Sequence, residues 1–362
     1  MKNLLVKNHY FLFFLLIFLS VFSILALKPE FGGDGISYIQ TIEVMKTGIS
    51  PEGFVPNRII TTFLGLKSVM VIDIFVNNLL VSWLILNSLF FVVMGMFFYF
   101  LLLKIFDNSR MSILGTLFLT TNYAAVALGL SYFMDMGGWA FYVASLYFSY
   151  LYLETKNEKW LWISSILVGV GGLFKEYAFL AYIVILGLII FINWGHWKEI
   201  IKKIFFTGLV AFTPMIIMNI YSFFVYDYTY LSWYSAQNTY DYQNKLVEYI
   251  KSFGSLYNFG WFLFIPGIYL LLKRSKEILK DQKLFFIWLT ILSSLVVFVW
   301  PVVTRVLFIT LPATVLVSCL FLKKIDKRWY MIVPLLIAYV LSSYLMNAYI
   351  LDFVDIQKIL PF

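Results

Sequence analysis

The chain is built from apolar runs too long and too many for a soluble core. They fall at about 10–27, 76–104, 110–130, 136–153, 159–174, 177–193, 204–225, 257–272, 284–300, 305–322 and 330–350. A run of roughly 20 apolar residues is what a bilayer's hydrocarbon core of about 30 Å requires of a helix. The expected fold is an all-α polytopic membrane protein with about eleven transmembrane helices. The composition agrees: 62% of the 362 residues are hydrophobic and 13% are charged, against about 25% charged in a soluble domain. The first run is followed by Lys28-Pro29-Glu30 and not by a small-x-small cleavage site, so it reads as a retained span. No separate soluble domain is expected; 1–362 reads as one transmembrane domain.

The runs 159–174 and 177–193 pose the one topological choice. Merged, they would make a helix about 51 Å long, far more than a bilayer needs. Split at Lys175-Glu176, with the N-terminus inside, they leave 18 of the 27 Lys and Arg on the inner segments, which have the shorter total length. Merging would flip everything downstream and put most of the positive charge outside. The positive-inside rule therefore favours two helices and a cytoplasmic N-terminus, and the expected location is the plasma (inner) membrane. The net charge of +8 follows from this sorting, and no nucleic-acid partner is expected. Cys319 is alone, and His9 and His196 both fall on the inner side. Outer-face chemistry is thereby limited to carboxylates, Lys, Arg and Tyr.

Three outer segments stand out. The first loop, about 28–75, carries FGGDGISYIQ, in which Asp34 stands among three glycines. Tyr38, Ile42 and Met45 follow at helical spacing and the pattern ends at Gly48, which predicts an amphipathic helix along the membrane surface. The loop at about 226–256 is rich in Tyr and Trp, and the turn after Trp300-Pro301 leads into Arg305. On this topology Asp34, Asp135, Lys175, Glu176 and Arg305 all lie at outer mouths of spans. Charges at membrane depth are costly and point to function. Each also has a plain reading: Asp34 and Asp135 as helix caps, Lys175-Glu176 as a solvated turn, Arg305 as an interfacial anchor. Acids and bases gathered on one face suit a reaction that removes a proton and handles a phosphate.

In their order along the chain these features resemble the GT-C superfamily of membrane glycosyltransferases, which includes protein O-mannosyltransferases and the aminoarabinose transferase acting on lipid A. Asp34 in GGDGISY resembles the acidic motif of that superfamily's first loop, and Asp135 in FMDMGGWAFY its second acidic position. GGLFKEYAFL is similar to its Lys-containing helix junction. TRVLFITLP resembles its Arg-Tyr-Leu-x-x-x-x-Pro pattern at Arg305 and Pro312, and PNRII, with Arg58, an arginine of the first loop in bacterial members. The chain departs from the pattern in having a single first acid, where mannosyltransferases carry Asp-Glu, and Val306 after the arginine. The resemblance implies a polyprenyl-phosphate sugar donor, a glycan, lipid or protein acceptor, and inversion at the anomeric carbon. It implies Asp34 and Asp135 as catalytic residues, Lys175, Arg305 and Arg58 on the donor phosphate, and Glu176 and Tyr38 in support. It leaves a divalent cation open. A transporter or flippase of a lipid-linked sugar is the alternative, though internal repeats and midplane charges, common in transporters, are not visible here.

Overall fold

The computed structural model describes residues 2–29, 31, 34–51, 54–237, 245–299, 304–325 and 329–346. Gly32, Gly33, the Trp300-Pro301 turn and part of the 226–256 loop lie outside them. Among the described residues every regular element is a helix: α1 (Lys2–Leu27), α2 (Asp34–Thr47), α3 (Asn57–Val76), α4 (Leu79–Phe106), α5 (Ser109–Thr120), α6 (Asp135–Thr155), α7 (Glu158–Gly172), α8 (Ala181–Ile192), α9 (Trp197–Tyr226), α10 (Tyr230–Gln237), α11 (Lys245–Tyr257), α12 (Trp261–Lys273), α13 (Gln282–Leu295), α14 (Thr304–Leu307), α15 (Thr310–Ile325) and α16 (Trp329–Leu345). Five helical stretches are long and apolar enough to cross a membrane, and shorter apolar helices accompany them. The fold is that of an all-α polytopic membrane protein.

Local chemistry sets several boundaries. The side chains of Asn108, Asn157 and Asp281 accept backbone N–H groups at the starts of α5, α7 and α13, satisfying donors that a helix N-terminus leaves open. Gly48 ends α2 at φ +72°, where a side chain would be strained. The expected amphipathic helix is α2, with Tyr38 and Ile42 buried and Met45 packed on the same core. The expected break at Lys175-Glu176 is also present. α7 stops at Gly172, and a short 3₁₀ turn, Glu176–Leu180, leads into α8. Helix α3, which the expected topology places inside the first outer loop, was not anticipated, and it is one of the five stretches long and apolar enough to cross a membrane.

Contacts group the chain into two compact units, one of residues 1–28, 95–128 and 242–362, the other of 29–94 and 129–241. In the first, α15 packs against α5, α12 and α13. A buried hydroxyl network joins Tyr257 to Thr310 and Thr314, and Asn122 to Tyr339. In the second, α6 packs along α7, which in turn crosses α9. Gly169 of α7 allows this crossing. A Cβ there would stand 3.0 Å from the carbonyl oxygens of Val210 and Ala211. Pro214 lacks the N–H that would otherwise take the Val210 carbonyl. The outer flank of α9, with Phe205, Leu209, Ile217 and Phe224, is exposed, as a lipid-facing helix requires.

Candidate active site

Six of the seven residues singled out from the sequence belong to the second unit. Asp34 opens α2, and its Oδ1 lies 2.7 Å from Arg58 Nη2. The guanidinium also donates through Nη1 to the Tyr38 hydroxyl at 3.4 Å and stands over the Tyr38 ring, 4.7 Å from its centroid. Tyr38 is one helical turn beyond Asp34, so one arginine grips both the carboxylate and the aromatic beside it. The side chains of Asp34 and Arg58 are 24% and 12% exposed, so this pair is the solvent-accessible edge of the group. An ion pair with a planar guanidinium fixes the orientation of the carboxylate.

A kink in α3 supports this arrangement. Thr62 leaves helical geometry at φ −139°, ψ 20°, so the regular hydrogen-bond ladder is interrupted there. Leu64 donates its N–H instead to the carbonyl of Leu173, at 3.0 Å, in the junction that follows α7. Thr62 Oγ1 donates to the Arg58 carbonyl at 2.6 Å. The first turn of α3, carrying Arg58, is thereby set off from the rest of the helix, and the stretch just past the kink is tied to the junction that leads to Lys175.

Behind the exposed edge, Lys175, Glu176 and Asp135 are 3%, 4% and 0% exposed. A solvated turn at Lys175-Glu176 is therefore ruled out. Lys175 Nζ lies 3.8 Å from Glu176 Oε2 and 5.6 Å from the centroid of the Tyr177 ring. Burial drags the Lys175 pKa down, but Glu176 first, then Tyr38 and Asp135, more than offset this, and the net value is raised above the ordinary 10.5. The ammonium is therefore charged at any physiological pH.

Glycines place these charges. A Cβ on Gly138 would sit 2.5 Å from the Lys175 Cβ, and one on Gly137 would sit 2.8 Å from the Phe174 ring. In the other direction Gly171 faces Phe141 of α6, while its neighbour Ala178 and the Phe179 ring against Gly172 fold back from the same GGLFKEYAF stretch. Gly137 and Gly138 thus let Phe174 and Lys175 pack directly on the first turn of α6. That brings the start of α6, where Asp135 sits, onto the Lys175 junction. Sequence reading found the charges but not this use of the glycine pairs, although both Gly-Gly pairs beside charges were the visible signal. Arg305 lies in the other unit, on α14, beside Thr304, whose hydroxyl contacts Ser252 and Ser255 of α11. Among the described residues no three His, Cys, Asp or Glu side chains gather as a metal site.

Residues 69–221 match the family model described as dolichyl-phosphate-mannose-protein mannosyltransferase, a family of GT-C type. The matched segment includes Asp135, Lys175 and Glu176, while Asp34, Arg58 and Arg305 fall outside it. No curated protein sequence matches the chain. Over residues 69–221 the chain is thus similar to GT-C type membrane glycosyltransferases, and the match supports a membrane glycosyltransferase that uses a lipid-linked sugar donor.

Proposed function

We propose that the protein is an inverting glycosyltransferase that uses a polyprenyl-phosphate sugar, with its N-terminus cytoplasmic and its active site on the outer face of the plasma membrane. The observation that carries this reading is the Asp34–Arg58 ion pair at the partly exposed start of α2, backed by a buried lysine on the same unit. Asp34 is the general base. It takes the proton of the acceptor hydroxyl as that oxygen attacks the anomeric carbon. The bond from that carbon to the phosphate oxygen breaks, and the polyprenyl phosphate leaves with the electron pair. Arg58, which orients Asp34, also stands at the accessible edge where a phosphate can approach, so it meets the donor while Lys175 adds positive charge from behind. Asp135 is fully buried, which suits a part in holding Lys175 in place. The role of Arg305 on the donor phosphate rests on the resemblance alone. A lipid donor suits a site at a membrane surface. The acceptor is a glycan, lipid or protein hydroxyl.

The test uses dolichyl-phosphate and undecaprenyl-phosphate sugars, labelled in the sugar, with a membrane extract as the source of acceptor. A transferase frees the lipid phosphate and moves the label. A flippase moves the donor across a vesicle bilayer and leaves it intact. Asp34→Asn keeps size and shape and removes the proton acceptor. Turnover should fall about 10²- to 10⁴-fold with donor binding retained. Near-normal turnover in this variant overturns the assignment of the base.

A further inference from the structure

Between the π-helical turn Ala124–Gly129 and α6, residues 130–134 run as irregular backbone. Irregular backbone in a membrane protein must have its polar groups met by the protein itself. Here two residues of α4, one helical turn apart, supply the donors. Trp83 Nε1 donates to the Phe133 carbonyl at 3.1 Å. Asn87 Nδ2 donates to the same carbonyl at 2.9 Å and to the Ser131 carbonyl at 2.6 Å. Both side chains are buried, Trp83 at 0% and Asn87 at 1% exposure. A buried primary amide in an apolar helix is costly unless its donors are used, and both donors of Asn87 are spent on this segment.

The segment ends at Asp135, the first residue of α6. On its other side, the Trp83 ring packs against Tyr38, with centroids 5.6 Å apart, and Tyr38 carries the Arg58 guanidinium. Met134, just before Asp135, belongs to the same buried cluster as Tyr38 and Trp83. One indole therefore touches the group that holds Asp34 and, through its N–H, holds the backbone that leads to Asp135.

From this we infer that Trp83 and Asn87 are positioning residues, which fix the place of Asp135 relative to the Asp34–Arg58–Tyr38 group by clamping the Ser131–Phe133 backbone. The inference rests on the proposed function insofar as it concerns catalysis. Neither residue touches the reacting atoms. Their effect on rate comes through alignment, where a displacement of about 1 Å can cost roughly 100-fold.

The test compares Asn87→Leu, which keeps the volume and removes both donors, with Trp83→Phe, which keeps a ring on Tyr38 and removes one. Both are assayed with dolichyl-phosphate mannose and a membrane extract, and by hydrogen exchange of peptides covering 130–136. Asn87→Leu should lower kcat about 10- to 100-fold, leave the donor KM within about twofold, and speed exchange in 130–136. Trp83→Phe should do the same more weakly, since Asn87 still holds the Phe133 carbonyl. The double variant should lose more than the product of the two, because each single variant retains one donor to that carbonyl. Unchanged exchange in both single variants overturns the clamp. So does a kcat loss no larger than the loss of folded protein. If wild-type protein releases no lipid phosphate from the donor, the functional reading falls and takes the catalytic half of this inference with it, while the exchange result still decides the clamp.

Discussion

Replacing Lys175 with methionine tests whether the buried charges hold one another. Methionine matches the stem in length and volume, so packing against Gly138 changes little. At the 3.8 Å separation of Lys175 Nζ and Glu176 Oε2, two unit charges in a medium of effective dielectric near 20 attract by roughly 4 kcal/mol. That gross attraction is offset in the wild type by the desolvation of both groups. Removing one partner leaves the other buried and uncompensated, a situation that costs about 3–5 kcal/mol. Lys175→Met should be destabilised by that amount, read as the loss of monodisperse protein after heating in detergent. Adding Glu176→Gln should recover at least about 2 kcal/mol of it, since the stranded carboxylate is gone. Asp135→Asn should rescue less, because Glu176 raises the Lys175 pKa more than Asp135 does. The pH dependence follows in sign. Because the Lys175 pKa is raised above 10.5, its charge-dependent stability is fully present below that value and is lost only as pH climbs through the still higher folded-state pKa. The gap between wild type and Lys175→Met should therefore stay flat from about pH 6 to 9 and close only in stronger alkali. A double variant no more stable than the single one, or a gap that closes near neutral pH, refutes the pairing.

Three other outcomes are expected. Gly138→Ala places a methyl 2.5 Å from the Lys175 Cβ; it should cost about 1–3 kcal/mol as overpacking and lower turnover, measured by heating and by sugar transfer, whereas Gly254→Ala, with open space around it, should be silent. A cysteine at Ile49, 74% exposed, in a Cys319→Ser background should react with an impermeant maleimide from outside, and one at Lys198 only after the membrane is opened; the reverse pattern sinks the outer-face assignment. Arg58→Ala and Arg305→Ala should each weaken binding of free polyprenyl phosphate roughly 10- to 150-fold, from charged hydrogen bonds of about 1.5–3 kcal/mol, and tight binding by both variants removes the arginines from the donor site.

The sequence by itself determined the class of fold, the break between α7 and α8 and the helix that begins at Asp34. Each rests on a local or additive property: the length of an apolar run, the side on which positive charge collects, the 3.6-residue period of Tyr38, Ile42 and Met45. It also named most of the charges that gather in one unit, because charge at membrane depth is rare enough to be conspicuous. What it could not give was pairing. Asp34 and Arg58 are 24 positions apart, and only the packing of α2 on α3, with α3 kinked at Thr62 just past the arginine, sets the two side chains together. α3 itself was passed over because Arg58, Lys67 and Asp73 punctuate a stretch that is otherwise apolar enough to cross a membrane. The Gly-Gly pairs and the donors Trp83 and Asn87 look unremarkable along the chain. Their meaning depends on what lies opposite each of them, a side chain or a loop carbonyl from a distant segment, and that is a property of tertiary packing alone.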